Sequence, residues 1–104
     1  MIIQINTGKH VSVSQESRTW YESVLTEELS RFEDQITRIE VHLTDETGSR
    51  DGQNDKRCLL EARLEGLQPI VATNNADSHE EATIGAAEKM KATLTTRLGK
   101  LRTF

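Results

Sequence analysis

Apolar residues alternate with polar ones at the start of the chain. Ile3 and Ile5 interleave with Gln4 and Asn6, a period of two that predicts a short strand with one apolar face. The period then changes. Tyr21, Val24, Leu25, Leu29 and Phe32 recur three and four residues apart, with Trp20 beside them, while Glu16, Glu22, Ser23, Glu27 and Ser30 fill the opposite face. This pattern predicts an amphipathic helix, capped by Ser12 or Ser14 and ending between Phe32 and Asp34. Ile39, Val41 and Leu43 return to a period of two against Arg38, Glu40 and His42, and predict a second strand. From Asp45 to Asp55 there is no apolar residue, so this stretch reads as a long, mobile hairpin loop. A third strand follows, with Cys58, Leu60, Ala62 and Leu64 in phase. After a turn at Gly66-Leu67-Gln68-Pro69 comes a short fourth strand, Ile70 to Thr73. Asn74 to Asp77 reads as a connector. Ser78 and Glu81 then form a capping-box pattern that opens a last helix, whose buried stripe is Ala87, Met90, Leu94, Leu98 and Leu101.

The order is β-α-β-β-β-α. Each helix has one apolar stripe and each strand one apolar face, so the economical arrangement is an α+β fold, a two-layer α/β sandwich. It predicts a four-stranded mixed sheet with both helices on one face and a parallel, right-handed first β-α-β unit. The other sheet face is then polar: Gln4, Asn6, Arg38, Glu40, His42, Arg57, Glu61 and Arg63. A chain of 104 residues holds one such core, so residues 1–104 are read as a single domain.

Charge adds an asymmetry to this outline. The chain is acidic, with a formal net charge of −4, and its first helix is dominated by glutamates. Beyond Glu88, however, every charged residue is basic: Lys89, Lys91, Arg97, Lys100 and Arg102. Such a chain is not a general nucleic-acid binder, but one edge of it can meet an anionic surface. Cations near a helix C-terminus also complement the macrodipole without any ligand. Catalytic chemistry has little support. No metal-ligand spacing occurs among His10, His42 and His79, and Cys58 alternates in phase with core residues rather than beside a base. The acidic loop does not match a calcium-binding pattern, and its glycines do not lie between a strand and a helix as a phosphate loop requires. These features predict a protein that is not an enzyme, with no cofactor, no metal and no small-molecule substrate. No apolar run approaches the ~20 residues of a membrane span, the N-terminus lacks the basic and apolar regions of a leader, and there is one cysteine. The expected compartment is the cytoplasm, with no membrane partner.

The chain resembles the ribosome hibernation-promoting factor family, also known as the ribosome-associated inhibitor or sigma-factor modulation family. The resemblance rests on Ile3-Gln4-Ile5-Asn6-Thr7-Gly8, on Ile36 to Leu43, on Asp55 to Gly66, and on Ala86-Ala87-Glu88-Lys89-Met90-Lys91 followed by leucines. It spans nearly the whole chain and is closest to the short form. The resemblance implies a non-enzymatic protein that binds the small ribosomal subunit, rRNA and neighbouring ribosomal proteins, near the decoding channel. It further implies silenced translation or hibernation under stress or in stationary phase. Carried over, the rRNA-binding residues are Lys89, Lys91, Arg97 and Lys100 on the last helix, with Arg102 beyond them. Arg38, Arg57 and Arg63 on the polar sheet face join them as weaker candidates. The acidic first helix departs from the family's pattern and suggests an alternative: a protein-interaction module on the same fold that binds a basic protein partner through that helix.

Overall fold

The computed structural model describes residues 1–46 and 55–102, the last three for their backbone. Strand β1 spans Ile2–Thr7, β2 Ile36–Asp45, β3 Lys56–Leu64 and β4 Ile70–Ala76. They form one sheet in the order β1-β2-β3-β4, with β1 parallel to β2 and the other neighbours antiparallel. Helix α1 covers Gln15–Glu28 and α2 covers His79–Arg102. Element order, mixed sheet and two-layer α+β class are those the periodicity predicts.

The alternation fixes which way each strand faces. Ile39, Val41, Leu43, Cys58, Leu60 and Ala62 are fully buried, and they share one core with Tyr21, Leu25 and Leu29 at α1 and Ala86, Met90 and Leu94 of α2. Both helices therefore cover one sheet face. β1, β2 and β4 run in one direction, and each helix returns from the end of β1 or β4. The two helices consequently lie side by side in the same sense.

One choice left open by the sequence reading is decided, and boundaries differ from that reading in two places. Ser14, not Ser12, caps α1, its hydroxyl accepting from Ser17 N at 3.1 Å. The α-helix ends at Glu28, because Leu29 leaves the helical region and Ser30–Phe32 tightens into a 3-10 turn. Phe32 stays buried through that turn, which is why the apolar spacing continues past the helix. The expected connector Asn74–Ala76 is instead strand: these residues pair with Cys58, Arg57 and Lys56. Ser78 does cap α2, accepting from Glu81 N at 3.1 Å. The stripe of α2 begins before its leucines, since Ala82, Thr83 and Ala86 are also buried. Leu101 belongs to α2, but its side chain lies outside the described residues.

Most of the polar hairpin, residues 47–54, also lies outside the described residues. Its base is well defined. Glu46 N donates to Asp55 O at 2.9 Å, and the Lys56 ammonium joins Asp45 at 2.9 Å and Asp55 at 3.1 Å. These two hydrogen-bonded carboxylates hold the Lys56 pKa above its ordinary value. At the other end of the sheet, Thr37 sits in a bulge between the Ile36–Leu64 and Arg38–Arg63 pairs, its hydroxyl donating to Arg63 O at 3.0 Å.

Candidate nucleic-acid interface

The eight basic residues singled out from the sequence fall into three separate places. Arg38, Arg57 and Arg63 lie on the open face of the sheet, away from the helices. Strand register arranges this face as a grid. Ile2, Arg38 and Arg63 form one row, Gln4, Glu40, Glu61 and Val71 the next, and Asn6, His42, Leu59 and Thr73 a third. Like charges stand directly opposite each other, so the attractive contacts run diagonally and along the strands. Arg38 meets Glu40 at 2.9 Å, and Arg63 meets Glu40 at 3.1 Å and Glu61 at 3.0 Å. His42 lies 3.7 Å from the same Glu40, and Arg57 lies 3.6 Å from Glu46. Glu40 is the hub, and its side chain keeps only 14% of its exposure. Each of these arginines is therefore already matched by a carboxylate.

Lys89 is in the second place, on the flank of α2 beside β4. Its ammonium donates to Thr73 O and to Asn74 Oδ1, both at 3.1 Å. A helical wheel places Lys89 opposite the buried stripe. In the structure the wider stripe turns it toward the sheet edge, where it hydrogen-bonds a carbonyl of β4. Gly85, one turn earlier, makes room for this contact: a Cβ there would collide with the Asn74 side chain. Lys89 is exposed, yet its charge already serves a structural contact.

The third place is the C-terminal end of the helical layer. Arg97 is exposed and borders a notch of about 250 Å³ lined by Leu64, Leu67, Gln68 and Ile70. Lys91 is exposed and stands 3.9 Å from Glu28 of α1, a loose pair. Lys100 and Arg102 belong to the same helix, with side chains outside the described residues. A further cation joins this end. Arg31, in the 3-10 turn, is exposed and lies over the Phe32 ring at 5.5 Å. Periodicity gives no reason to single out Arg31, because the apolar spacing carries an acidic helix through it; the break at Leu29 is the signal that sets it apart. Among the described residues neither Arg31 nor Arg97 enters an ion pair. Of the three places, this one leaves its cations available to an outside anion.

Cys58 is fully buried, and burial pushes its thiol up to about 11, although Thr83 hydrogen-bonds to it. A thiol so placed is a weak nucleophile at neutral pH. His79 Nε2 lies 2.9 Å from Thr44 O, a contact in which the ring must donate. Among the described residues no cluster of three or more metal-ligating side chains forms, and no helix is long and apolar enough to cross a membrane.

The fold and surface define a small two-layer α+β module with a charge-matched sheet face and a basic end. Similarity places it further. The family model described as Sigma 54 modulation protein / S30EA ribosomal protein matches residues 4–102, and the chain belongs to that family. No curated protein sequence matches the chain. Several solved structures share its fold, among them two that span nearly the whole chain. One is a ribosomal subunit interface protein from Coxiella burnetii, 20% identical, with a TM-score of 0.72 over 95% of this chain and 99% of that one. The other is the N-terminal domain of Thermus thermophilus Protein Y, 17% identical, with a TM-score of 0.72 over 92% of this chain and 98% of that one.

Proposed function

We propose that this protein is a cytoplasmic, non-enzymatic ribosome-associated factor that occupies the small subunit near the decoding channel and silences translation under stress. Family membership across residues 4–102 is the observation that carries this reading. The description of one fold neighbour as a subunit interface protein supports it. The action is steric occlusion: a rigid module held in place by contacts to rRNA phosphates, with no chemical step. The uncommitted cations at the C-terminal end of the helical layer suit that role best. Arg97, Lys91 and Arg31 lead, with Lys100 and Arg102 continuing along α2. Lys89 contributes after giving up its hydrogen bonds to β4, and Arg38, Arg57 and Arg63 contribute after giving up carboxylates.

Co-sedimentation with purified small subunits and whole ribosomes across a salt series tests the proposal. The expected result is near-stoichiometric binding at low salt that weakens as salt rises. It is abolished when Lys91, Arg97 and Lys100 become glutamine while Lys89 is left to hold β4. Absence of binding at low salt overturns the proposal.

A further inference from the structure

The helical layer has a second distinctive surface, which starts at the N-terminal ends of α1 and α2 and runs up to Lys91 at the border of the basic end. Helices α1 and α2 run side by side, and the line along which their outer margins meet is taken as one groove. One end of it is shown by a cavity of about 220 Å³ lined by Ser17, Trp20, Tyr21 and Glu80. The other end is marked by the Lys91–Glu28 pair. Between these two contacts helical spacing places Val24 on the α1 wall, four residues after Trp20, and Ile84 on the α2 wall, four after Glu80. Val24 and Trp20 are half-buried, and Ile84 keeps 43% of its exposure, one of few large apolar side chains so exposed.

The middle of the groove is thus apolar, and its border is acidic except at Lys91. Glu80 stands in the cavity wall, and Glu16, Glu27 and Glu88 are exposed on the adjoining helix faces. The Trp20 ring is fixed edge-on against Tyr21, with centroids 5.1 Å apart and planes at 78°. This leaves an indole beside a carboxylate, a pairing that suits a guanidinium or ammonium group. An anionic ligand such as RNA would meet repulsion along the rim.

We propose that this interhelical groove docks a basic amphipathic segment of a partner protein, its apolar side chains on Val24 and Ile84 and a cationic side chain against Trp20 and Glu80. The proposal is separate from ribosome binding, because the residues it relies on, Trp20, Val24, Glu80 and Ile84, include none of the cations assigned to rRNA; the groove meets that set only at its Lys91 end. It also relocates the acidic-helix alternative: the binding element is the groove between both helices, not the outward face of α1.

Trp20 is the single tryptophan of the chain, so its emission reports directly on the groove. The probe is a tryptophan-free 14-residue peptide with leucines along one helical face and arginines along the other. A scrambled peptide of identical composition is the control. The expected result is a saturable shift in Trp20 emission with the amphipathic peptide and at least tenfold weaker binding of the scrambled one. The double variant Ile84→Ser/Glu80→Gln should also bind at least tenfold more weakly. Both substitutions are at exposed positions, and an unchanged thermal melt verifies that the fold survives. Val71→Ser, on the far sheet face, should leave binding unchanged. Equal binding of both peptides, indifference to the double variant, or displacement of the peptide from the groove by ribosomal RNA alone would each overturn the proposal.

Discussion

The open sheet face and the C-terminal end of the helical layer each carry several cations, and they use them in opposite ways. On the sheet, pleat and register bring Arg38 and Arg63 within reach of Glu40 and Glu61, and the charges cancel locally. At the helix ends Arg31 and Arg97 project without a carboxylate partner among the described residues, and Lys91 has only a loose one. Counting basic residues therefore misjudges where an anion can bind. What matters is the work needed to release each cation from its present partner, and that work differs between the two regions.

The largest test of this contrast is removal of the hub. Glu40→Ala leaves the Arg38 guanidinium uncompensated and Arg63 with Glu61 alone, and Arg38 Nε is already buried with no hydrogen-bond partner among the described residues. Because the Arg38 side chain is partly exposed, leaving it unpaired costs about 1 kcal/mol, read as a lower urea midpoint with unchanged slope. The same change should strengthen salt-dependent RNA binding by freeing Arg38. An unaltered midpoint would mean that the sheet-face ion pairs are surface decoration, and the contrast with the helix ends would collapse.

A smaller effect compares the two regions in binding. For each phosphate no longer neutralised by a side chain, the dependence of log affinity on log salt becomes shallower by about 0.7–0.9. Lys91→Gln/Arg97→Gln should therefore lower the slope by well over one. Arg38→Gln/Arg63→Gln should change it little, because those side chains stay with their carboxylates. The reverse ranking, measured by filter binding or co-sedimentation, would place the anion-binding surface on the sheet.

How much of this is legible in the sequence follows from the range of the interactions. The strands and helices are readable because period two and period 3.6 are local, and the core residues Leu60, Leu25 and Met90 are those the periods select. Family resemblance is readable from the order of short segments. The division of the basic residues is not. Whether Arg63 meets Glu40 depends on β2–β3 register, a pairing across a hairpin, and whether Lys89 reaches Thr73 depends on how α2 rotates over β4. The extension of β4 to Ala76 is hidden for a related reason: Asn74 and Asn75 have low strand propensity and are held by partners on β3. The break of α1 at Leu29 is masked because Phe32 continues the apolar spacing from outside the α-helix.

A third expectation concerns the core between the two surfaces. Burial and the nearby Glu80 push the Tyr21 phenol from 10.0 to about 12, and burial pushes the Cys58 thiol from 9.0 to about 11. In both cases the folded state favours the protonated, neutral form. Their contribution to stability is complete below the unfolded pKa values and is lost as pH rises from about 9 to about 12. Urea titrations across that window should show falling stability, and Tyr21→Phe should flatten the upper part of the decline. An unchanged slope in the Tyr21→Phe variant would mean that the phenol ionises freely in the folded protein and that the helix packing around it is loose.

The smallest expected effect separates the sheet-bound flank of α2 from its free end. Replacing a helical glycine by alanine ordinarily gains up to about 1 kcal/mol, because alanine loses less conformational entropy. Gly99 has open space around its would-be Cβ, so Gly99→Ala should gain a few tenths to about 1 kcal/mol, reduced by fraying near the chain end. Gly85 faces the Asn74 amide, which the Lys89 ammonium holds. Gly85→Ala must push that amide aside, so the helix gain is offset and no net stabilisation should appear. The same displacement breaks the Lys89–Asn74 hydrogen bond, frees a cation beside β4, and should steepen the salt dependence of RNA binding slightly. Equal stabilisation by the two substitutions would show that Asn74 moves without cost, and that Lys89 belongs with the available cations of the helix end rather than with the committed ones of the sheet.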